Sequence, residues 1–377
     1  MLEFQFSIFE WVLLVIISIS FFIQLGIYLN VFSKVKKHVD PNNKNTNIPI
    51  SVIICGRNES ENIQKYLPLI LTQDYPEFEV IFVNDSSEDD SDLYLSVLKK
   101  KYSNFYYTTI PSDKKFIHSK KLAINIGIKA AKHDHLLFTD ADCQPTSDQW
   151  IKQMATGFSN SNKELIIGYS PFEKRKGLLN CLIRYDSFWN GVQYLSYAIK
   201  GKAYMGVGRN LAYTKSLFKR NNGFNKFNNI ISGDDDLFIN QFANKNNTSV
   251  VISSDSQMVT TPSKSFGDWH RQKLRHLSTA PFYKTIHKIK LINESLSRQI
   301  LWFAAIYSVF FHNFVIIACG FLIVKLIVQL VILKGAAKKV NEGKIYWSAL
   351  IFDFLLPIIL FIFHTENRFR SKQIKWK

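Results

Sequence analysis

Cysteine is scarce: the 377 residues hold four, Cys55, Cys143, Cys181 and Cys319. They are widely spaced and form no Cys-x-x-Cys pair, so neither a cysteine zinc site nor a disulfide framework is indicated. A reducing, cytoplasmic setting fits. The first apolar run is not expected to be a cleaved secretory leader. It is led by Glu3 and Glu10 rather than by basic residues, is too long for a signal core and has no small-residue cleavage site after it. Acidic residues are the minority, 30 against 47 Lys and Arg, leaving a formal net charge of +17. That surplus could serve nucleic acid, but the basic residues cluster beside apolar segments and no nucleic-acid motif is present. No nucleic-acid partner is therefore expected. Anionic lipid headgroups and anionic substrates account for the charge more simply.

Apolar residues are abundant at the two ends of the chain. Trp11 to Phe32 is broken only by Ser18, Ser20, Gln24, Tyr28 and Asn30, and at about 1.5 Å per helical residue it can cross a hydrocarbon core of about 30 Å. Lys34, Lys36 and Lys37 follow, which by the positive-inside rule puts the N-terminus outside and the rest of the chain in the cytoplasm. A second block, Ile300 to Leu333, is too long for one untilted span and reads as a hairpin of two short spans returning Lys334, Lys338 and Lys339 to the cytoplasm. A third, Ile345 to Phe363, carries Asp353 and Pro357 and precedes a basic tail, Arg368 to Lys377. An interfacial or re-entrant course suits it best, because an even number of later spans keeps that tail cytoplasmic. The expected organisation is a transmembrane helix over 1–33, a polar linker over 34–48, a cytoplasmic domain over 49–280, and interfacial and transmembrane segments (about 300–333 and 345–363) within 281–377. The protein is expected to be integral to the plasma (inner) membrane.

Between these ends the pattern alternates. Ile50 to Cys55 is a continuous apolar run bounded by Gly56, the mark of a strand buried on both faces. Ile63, Tyr66, Leu67, Ile70 and Leu71 then recur at helical spacing. Strand 78–83, a helix over about 93–101, strand 105–110, helix 120–132 and strand 135–139 continue the series. Such alternation predicts an α/β domain with a mainly parallel sheet and helices on both faces. Ligands of such sheets bind at the carboxyl ends of the strands. Three polar clusters stand there: Arg57-Asn58-Glu59, Asn84-Asp85-Ser86-Ser87 and Asp140-Ala141-Asp142.

Asp140 and Asp142 lie two apart in extended backbone, so both carboxylates lean to one side. Paired hard oxygens suit Mg²⁺ or Mn²⁺ bridging to phosphate, whereas an isolated Asp-x-Asp is more often a solvated turn. Asp85 can accept hydrogen bonds from a base or ribose, or simply form an Asx-turn. Lys120 and Lys121 open a helix where a cation and helix-end amides favour a diphosphate; a solvated lysine pair is the plainer reading. Gly208, Arg209 and Asn210 offer close backbone approach and donors to sugar hydroxyls, or else a bend between strands. Asp234, Asp235 and Asp236 crowd the start of a helix that one N-cap would satisfy, and three adjacent carboxylates are costly without a cation or a catalytic task. Gln272 and Arg275 fall one turn apart in a basic amphipathic stretch that can equally bind lipid headgroups.

Taken in order, these motifs resemble glycosyltransferase family 2, in particular its membrane-integrated branch of hyaluronan, chitin and cellulose synthases and ceramide glucosyltransferase. The resemblance runs from about Ile50 to His276. It implies a GT-A-type nucleotide-sugar-binding domain in which Arg57, Glu59, Asp85, Lys120, Asp140, Gln272 and Arg275 serve the donor, and Asp142 with Asp140 holds Mn²⁺ or Mg²⁺. It further implies that Gly208, Arg209, Asn210 and His276 belong to the acceptor and sugar region, and that Asp234 or Asp235 is the base, with Asp235 preferred. Three departures stand out: Asn84 replaces an aspartate, the base motif is compressed, and His276 replaces a tryptophan found at the acceptor-channel mouth of processive synthases. The expected activity is inverting transfer from a nucleotide sugar, UDP-linked by preference, to a hydroxyl of a lipid-linked or polysaccharide acceptor. The competing reading is a non-catalytic membrane module that binds nucleotide or lipid.

Overall fold

The computed structural model describes residues 7–42, 47–112, 119–230, 232–309 and 312–369. Part of the polar linker (43–46) and the basic tail from 370 onward lie outside the described residues.

α1 (Ile8–Ile27) runs through one π-helical turn (Tyr28–Phe32) into α2 (Ser33–Lys37), forming a 30-residue apolar rod. β1 (Ile50–Gly56), α3 (Ser60–Leu71), β2 (Phe78–Asp85), α4 (Ser91–Lys101), β3 (Phe105–Ile110), α5 (Lys120–Ala130) and β4 (His135–Asp140) then alternate as the apolar pattern predicts. After β5 (Cys143–Pro145) come α6 (Trp150–Ala155), β6 (Leu165–Ile167), α7 (Leu178–Ile199), β7 (Leu211–Thr214), α8 (Lys215–Arg220), α9 (Asp236–Phe242), β8 (Thr248–Val250) and β9 (Met258–Thr260). α10 (Phe266–Leu277), α11 (Thr285–Ser308), α12 (His312–Lys339) and α13 (Ala349–Phe369) complete the chain.

The main sheet has seven strands in the order β3-β2-β1-β4-β7-β6-β8. β3, β2, β1 and β4 are mutually parallel, β7 is antiparallel to both β4 and β6, and β8 is parallel to β6. Side chains of β1 and β2 alternate between two cores. Val52, Ile54, Val80 and Phe82 pack with Ile63, Leu67, Trp150 and Met154 on one face. Ile53, Cys55, Ile81 and Val83 pack with Ile124, Ile128 and the aromatics of α7 and α9 on the other. Burial on both faces explains why these strands are apolar at successive positions rather than every second one.

Among the described residues, three helices are long and apolar enough to cross a membrane: Ile8–Lys37, Phe314–Lys339 and Ile345–Phe369. The block from 300 to 333, read as two short spans, is divided differently. α11 begins fifteen residues earlier, at Thr285, and ends at Ser308, while α12 alone takes 28 residues. The cause is Glu294, Ser297 and Arg298, which interrupt the apolar run in sequence but turn inward and are buried. Gln24 of α1 donates to the Glu294 carbonyl and to Ser297 Oγ, both at 2.8 Å. Lys325 and Asp353 form an ion pair deep in the same bundle, leaving its outer face to Ile289, Ile292, Leu296 and Phe303. Both ends of α13 touch the α/β domain and its α10: Ser348, just before α13, meets Cys181 at 3.2 Å, and Glu366 meets His270 at 2.7 Å.

Candidate active site

The register of the parallel strands brings the polar clusters together. Gly56 pairs with Asn84 and Cys55 with Asp140, so β1, β2 and β4 end side by side. The loops after β1 and β2 are laced to each other: Asn58 N–H donates to Ser87 Oγ (2.8 Å), Glu88 N–H to Asn58 Oδ1 (2.8 Å), and Ser60 N–H to Asp89 (2.9 Å). Asn58 and Ser86 both take left-handed backbone, φ 55° and 56°, an arrangement held in place by these bonds. Beside them opens a cleft of about 810 Å³. Arg57, Glu59, Lys120, Asp140, Asp142, Arg209, Gln272 and Arg275 all line it.

Lys120 is the hub of its floor. Its ammonium donates to Asp140 Oδ1 at 2.7 Å and lies 3.5 Å from Asp234 Oδ2. Burial works against the lysine's charge, yet Asp140, Asp234 and Asp235 together raise its pKa above the ordinary value. Burial likewise opposes ionisation of Asp140, but Lys120, with Arg209 and Arg275, holds its pKa below the ordinary value. A carboxylate–lysine pair is therefore fixed at the end of β4.

Next to it the chain turns at Gly233, whose φ of 101° no side chain adopts readily. That turn presents Asp234, Asp235 and Asp236 at the start of α9. Asp235 accepts from Gly208 N–H (2.8 Å) through one oxygen and from Asp236 N–H (2.7 Å) through the other. Burial, reinforced by Asp234 and Asp236, pushes its pKa up to about 7. Asp236 points away from the cleft, bonded to the hydroxyls of Thr279 and of Tyr283 (2.7 Å), and burial raises its pKa against those donors. Asp234 faces Lys120, and Asp235 lies against Gly208.

A domain with these strand-end clusters has close relatives. The model for Glycosyl transferase family 2 matches residues 51–220. By this match, residues 51–220 resemble glycosyltransferase family 2. Glycosyltransferase AglE of Haloferax volcanii is 31% identical over 192 residues, 49% of this chain and 58% of that protein. A poly-beta-1,6-N-acetyl-D-glucosamine synthase of Staphylococcus epidermidis is 29% identical over 159 residues, 39% of this chain and 37% of that one. The chain thus spans little more than half of the first relative and about a third of the second. A mannosyltransferase from Pyrobaculum calidifontis, solved with GDP-Man and Mn²⁺, superposes with a TM-score of 0.62 over 96% of this chain and 99% of its own, at 16% identity. The two share the GT-A fold.

Within this domain, several residues stand elsewhere than the sequence placed them. Asn210 is fully buried. Its side-chain Oδ1 accepts from Trp150 Nε1 (3.0 Å), and its Nδ2 donates to the carbonyls of Tyr169 (2.8 Å) and Ser256 (2.7 Å), so no side-chain donor is left for a sugar hydroxyl. It braces the sheet from behind. Asp85 is likewise fully buried, at the end of β2, and is not among the residues that line the cleft. Lys121 is no partner of Lys120 in solvent. It is buried, donates to the carbonyls of Phe227 (2.7 Å) and Ile230, and burial pulls its pKa down to about 8. His276 is exposed at the end of α10. Arg209 stacks 4.7 Å over the Phe172 ring and donates to Ser170 Oγ (3.1 Å), which aims it along the cleft wall. The partners of Asn210 and Lys121 are not legible in the sequence, since each is more than forty residues away in the chain.

Proposed function

We propose that this protein is an inverting glycosyltransferase that moves a sugar from a nucleotide-diphosphate sugar, preferably UDP-linked, to a hydroxyl of a lipid-linked or polysaccharide acceptor at the membrane. The observation that carries the reading is the joining of Lys120 to Asp140 on one side and Asp234 on the other, with Asp235 raised to about pH 7 beside them. A cationic floor for a leaving diphosphate and a base matched to neutral pH thereby share one site. The match of residues 51–220 to the family model supports the same chemistry.

The acceptor hydroxyl gives its proton to Asp235 as its oxygen attacks the anomeric carbon. The bond to the diphosphate breaks on the opposite face, so the anomeric configuration inverts. Lys120, Arg209 and Arg275 take up the negative charge that accumulates on the departing nucleoside diphosphate. Arg57 and Glu59, on the β1 side of the cleft, serve the nucleoside end of the donor.

Among the described residues no three His, Cys, Asp or Glu form a complete cation cage. Asp140 and Asp142 nonetheless border the cleft together, and two carboxylates suit an octahedral ion that draws its remaining ligands from phosphate and water. The residues present fit a divalent ion arriving with its donor, and Asp142 with Asp140 would hold it. Mn²⁺ or Mg²⁺, if bound there, would supply electrostatic stabilisation of the leaving group. The apolar helices and the basic residues after α1 support an integral plasma-membrane protein with a cytoplasmic catalytic domain.

The test is stereochemical. Product formed from a UDP-sugar is analysed by proton NMR immediately after transfer, and the reading requires an anomeric configuration opposite to that of the donor. A product of the same configuration, or equal turnover by Asp235→Asn, overturns it.

A further inference from the structure

α10 divides its residues between two neighbours. Asp268, Arg271, Gln272 and Arg275, at helical spacing, line the cleft. The opposite side is pinned. Trp269 is buried with its ring 5.6 Å from that of Phe363, and Asn367 of α13 donates to the Leu274 carbonyl at 3.1 Å. Between these contacts Lys273 forms an ion pair with Asp186 of α7, and both side chains are largely withdrawn from solvent. Asp186 is also fixed by its own helix, accepting from Asn190 Nδ2 at 3.0 Å.

A buried ion pair adds little net stability over an apolar pair of similar size, and its best-attested use is to set register. α7 is suited to that task, because it is buried along nearly its whole length. Five residues before Asp186, Cys181 meets Ser348 just ahead of α13, and two residues before it Arg184 binds Glu342 in the turn after α12 at 2.5 Å. α10 itself is mostly polar and has only Trp269 and Leu274 buried. Its rotation about its axis therefore depends on polar anchors more than on a broad apolar seam. Lys273 is adjacent to Gln272 and two residues from Arg275, so a shift of the pair moves both cleft-facing side chains.

We infer that Asp186 is a positioning residue for the donor: through Lys273 it holds α10 so that Arg275 and Gln272 reach the nucleoside diphosphate. The inference rests on the function proposed above, and its test separates the two.

Binding of UDP and of GDP, each with Mn²⁺, is measured by calorimetry on the full chain in lipid nanodiscs. The proteins are wild type, Asp186→Asn, Lys273→Arg, Arg275→Ala and the Asp186→Asn/Arg275→Ala double variant. Asp186→Asn is expected to weaken binding of the nucleotide that the wild type prefers by about tenfold, and by less than about twofold further when Arg275 is already absent, since residues acting through one another are not additive. Lys273→Arg keeps the charge, lengthens the reach and serves if Asp186→Asn fails to fold; it is expected to weaken binding about threefold or more. Wild-type affinity in both Asp186→Asn and Lys273→Arg, or a full additive loss in the double variant, overturns the inference. Sugar transfer by the wild type is followed in parallel. A wild type that binds nucleotide without transferring sugar overturns the transferase reading and leaves this one to the binding data. One that binds neither nucleotide overturns both.

Discussion

Replacing Asp235 by Asn should damage turnover and stabilise the fold at once, and the two effects have different pH dependence. A general base contributes about 10²- to 10⁴-fold to rate, or about 3–5 kcal/mol of barrier, so kcat at saturating donor and acceptor should fall by at least about a hundredfold. Stability moves the other way. The Asp235 carboxyl, raised from 3.8 to about 7 by burial and by Asp234 and Asp236, costs on the order of 4 kcal/mol of folding free energy when fully ionised. Partial exposure and coupling to Asp234 reduce that to about 2–3 kcal/mol. The sign follows from the raised folded-state value: protonation is favoured in the fold, so the cost is absent below about pH 4, grows as pH rises towards 7 and is complete above it. Asn carries no charge but has one acceptor oxygen for the two N–H groups, of Gly208 and Asp236, that Asp235 now satisfies. Losing one of those bonds costs about 1 kcal/mol. Thermal melting of the full chain in detergent should therefore show the variant more stable by about 1–2 kcal/mol near pH 8 and less stable by about 1 kcal/mol near pH 4. A variant that melts lower than wild type at both pH values, or one that turns over within about tenfold of wild type, would refute the reasoning.

The same carboxyl predicts that wild-type kcat/KM falls on the acid side with a midpoint near its pKa of about 7, measured across a buffer series at constant ionic strength; a flat profile through that range contradicts the assignment. Asp142→Asn should lower turnover by about a hundredfold or more and abolish its stimulation by Mn²⁺ or Mg²⁺, and chelation of the wild type should do the same reversibly. Lys120→Met removes the cation that two carboxylates share, so nucleotide release assays should show at least about a hundredfold loss of kcat. Asn210→Ala should act on stability instead, costing about 2–4 kcal/mol because the Trp150 indole and two buried carbonyls lose their partner. Its residual folded fraction should bind UDP with wild-type affinity, checked by melting and calorimetry together.

The first half of the domain was legible because burial on both faces of β1 and β2 forces continuous apolar runs, and polar residues crowd in directly where those runs end. The strand-end rule then located the region of Asp140 and Asp142 without any partner being known. α7 was missed for the opposite reason. Fifteen of its 22 residues are buried, so no polar face alternates with an apolar one and the helical period is blurred. Charged residues of α11 misled in the same way, since Glu294 and Arg298 hide inside the bundle and break the hydropathy without breaking the helix. Within the site, Lys120 and Lys121 are indistinguishable by sequence, and only the positions of Asp234 and of the Phe227 carbonyl separate a site cation from a structural one. The buried bonds of Asn210 depend on Trp150 and Ser256, which only the folded sheet brings near.

The central claim is that the cleft between Arg57 and Arg275 turns over a nucleotide sugar. Purified full-length protein in lipid nanodiscs, incubated with a panel of UDP- and GDP-sugars, membrane lipids and Mn²⁺, should release nucleoside diphosphate and yield a lipid or glycan product heavier by one sugar residue in the mass spectrum, with neither formed by Asp142→Asn. Binding of nucleotide sugar without any sugar-bearing product across the panel, or equal product from Asp142→Asn, would contradict it.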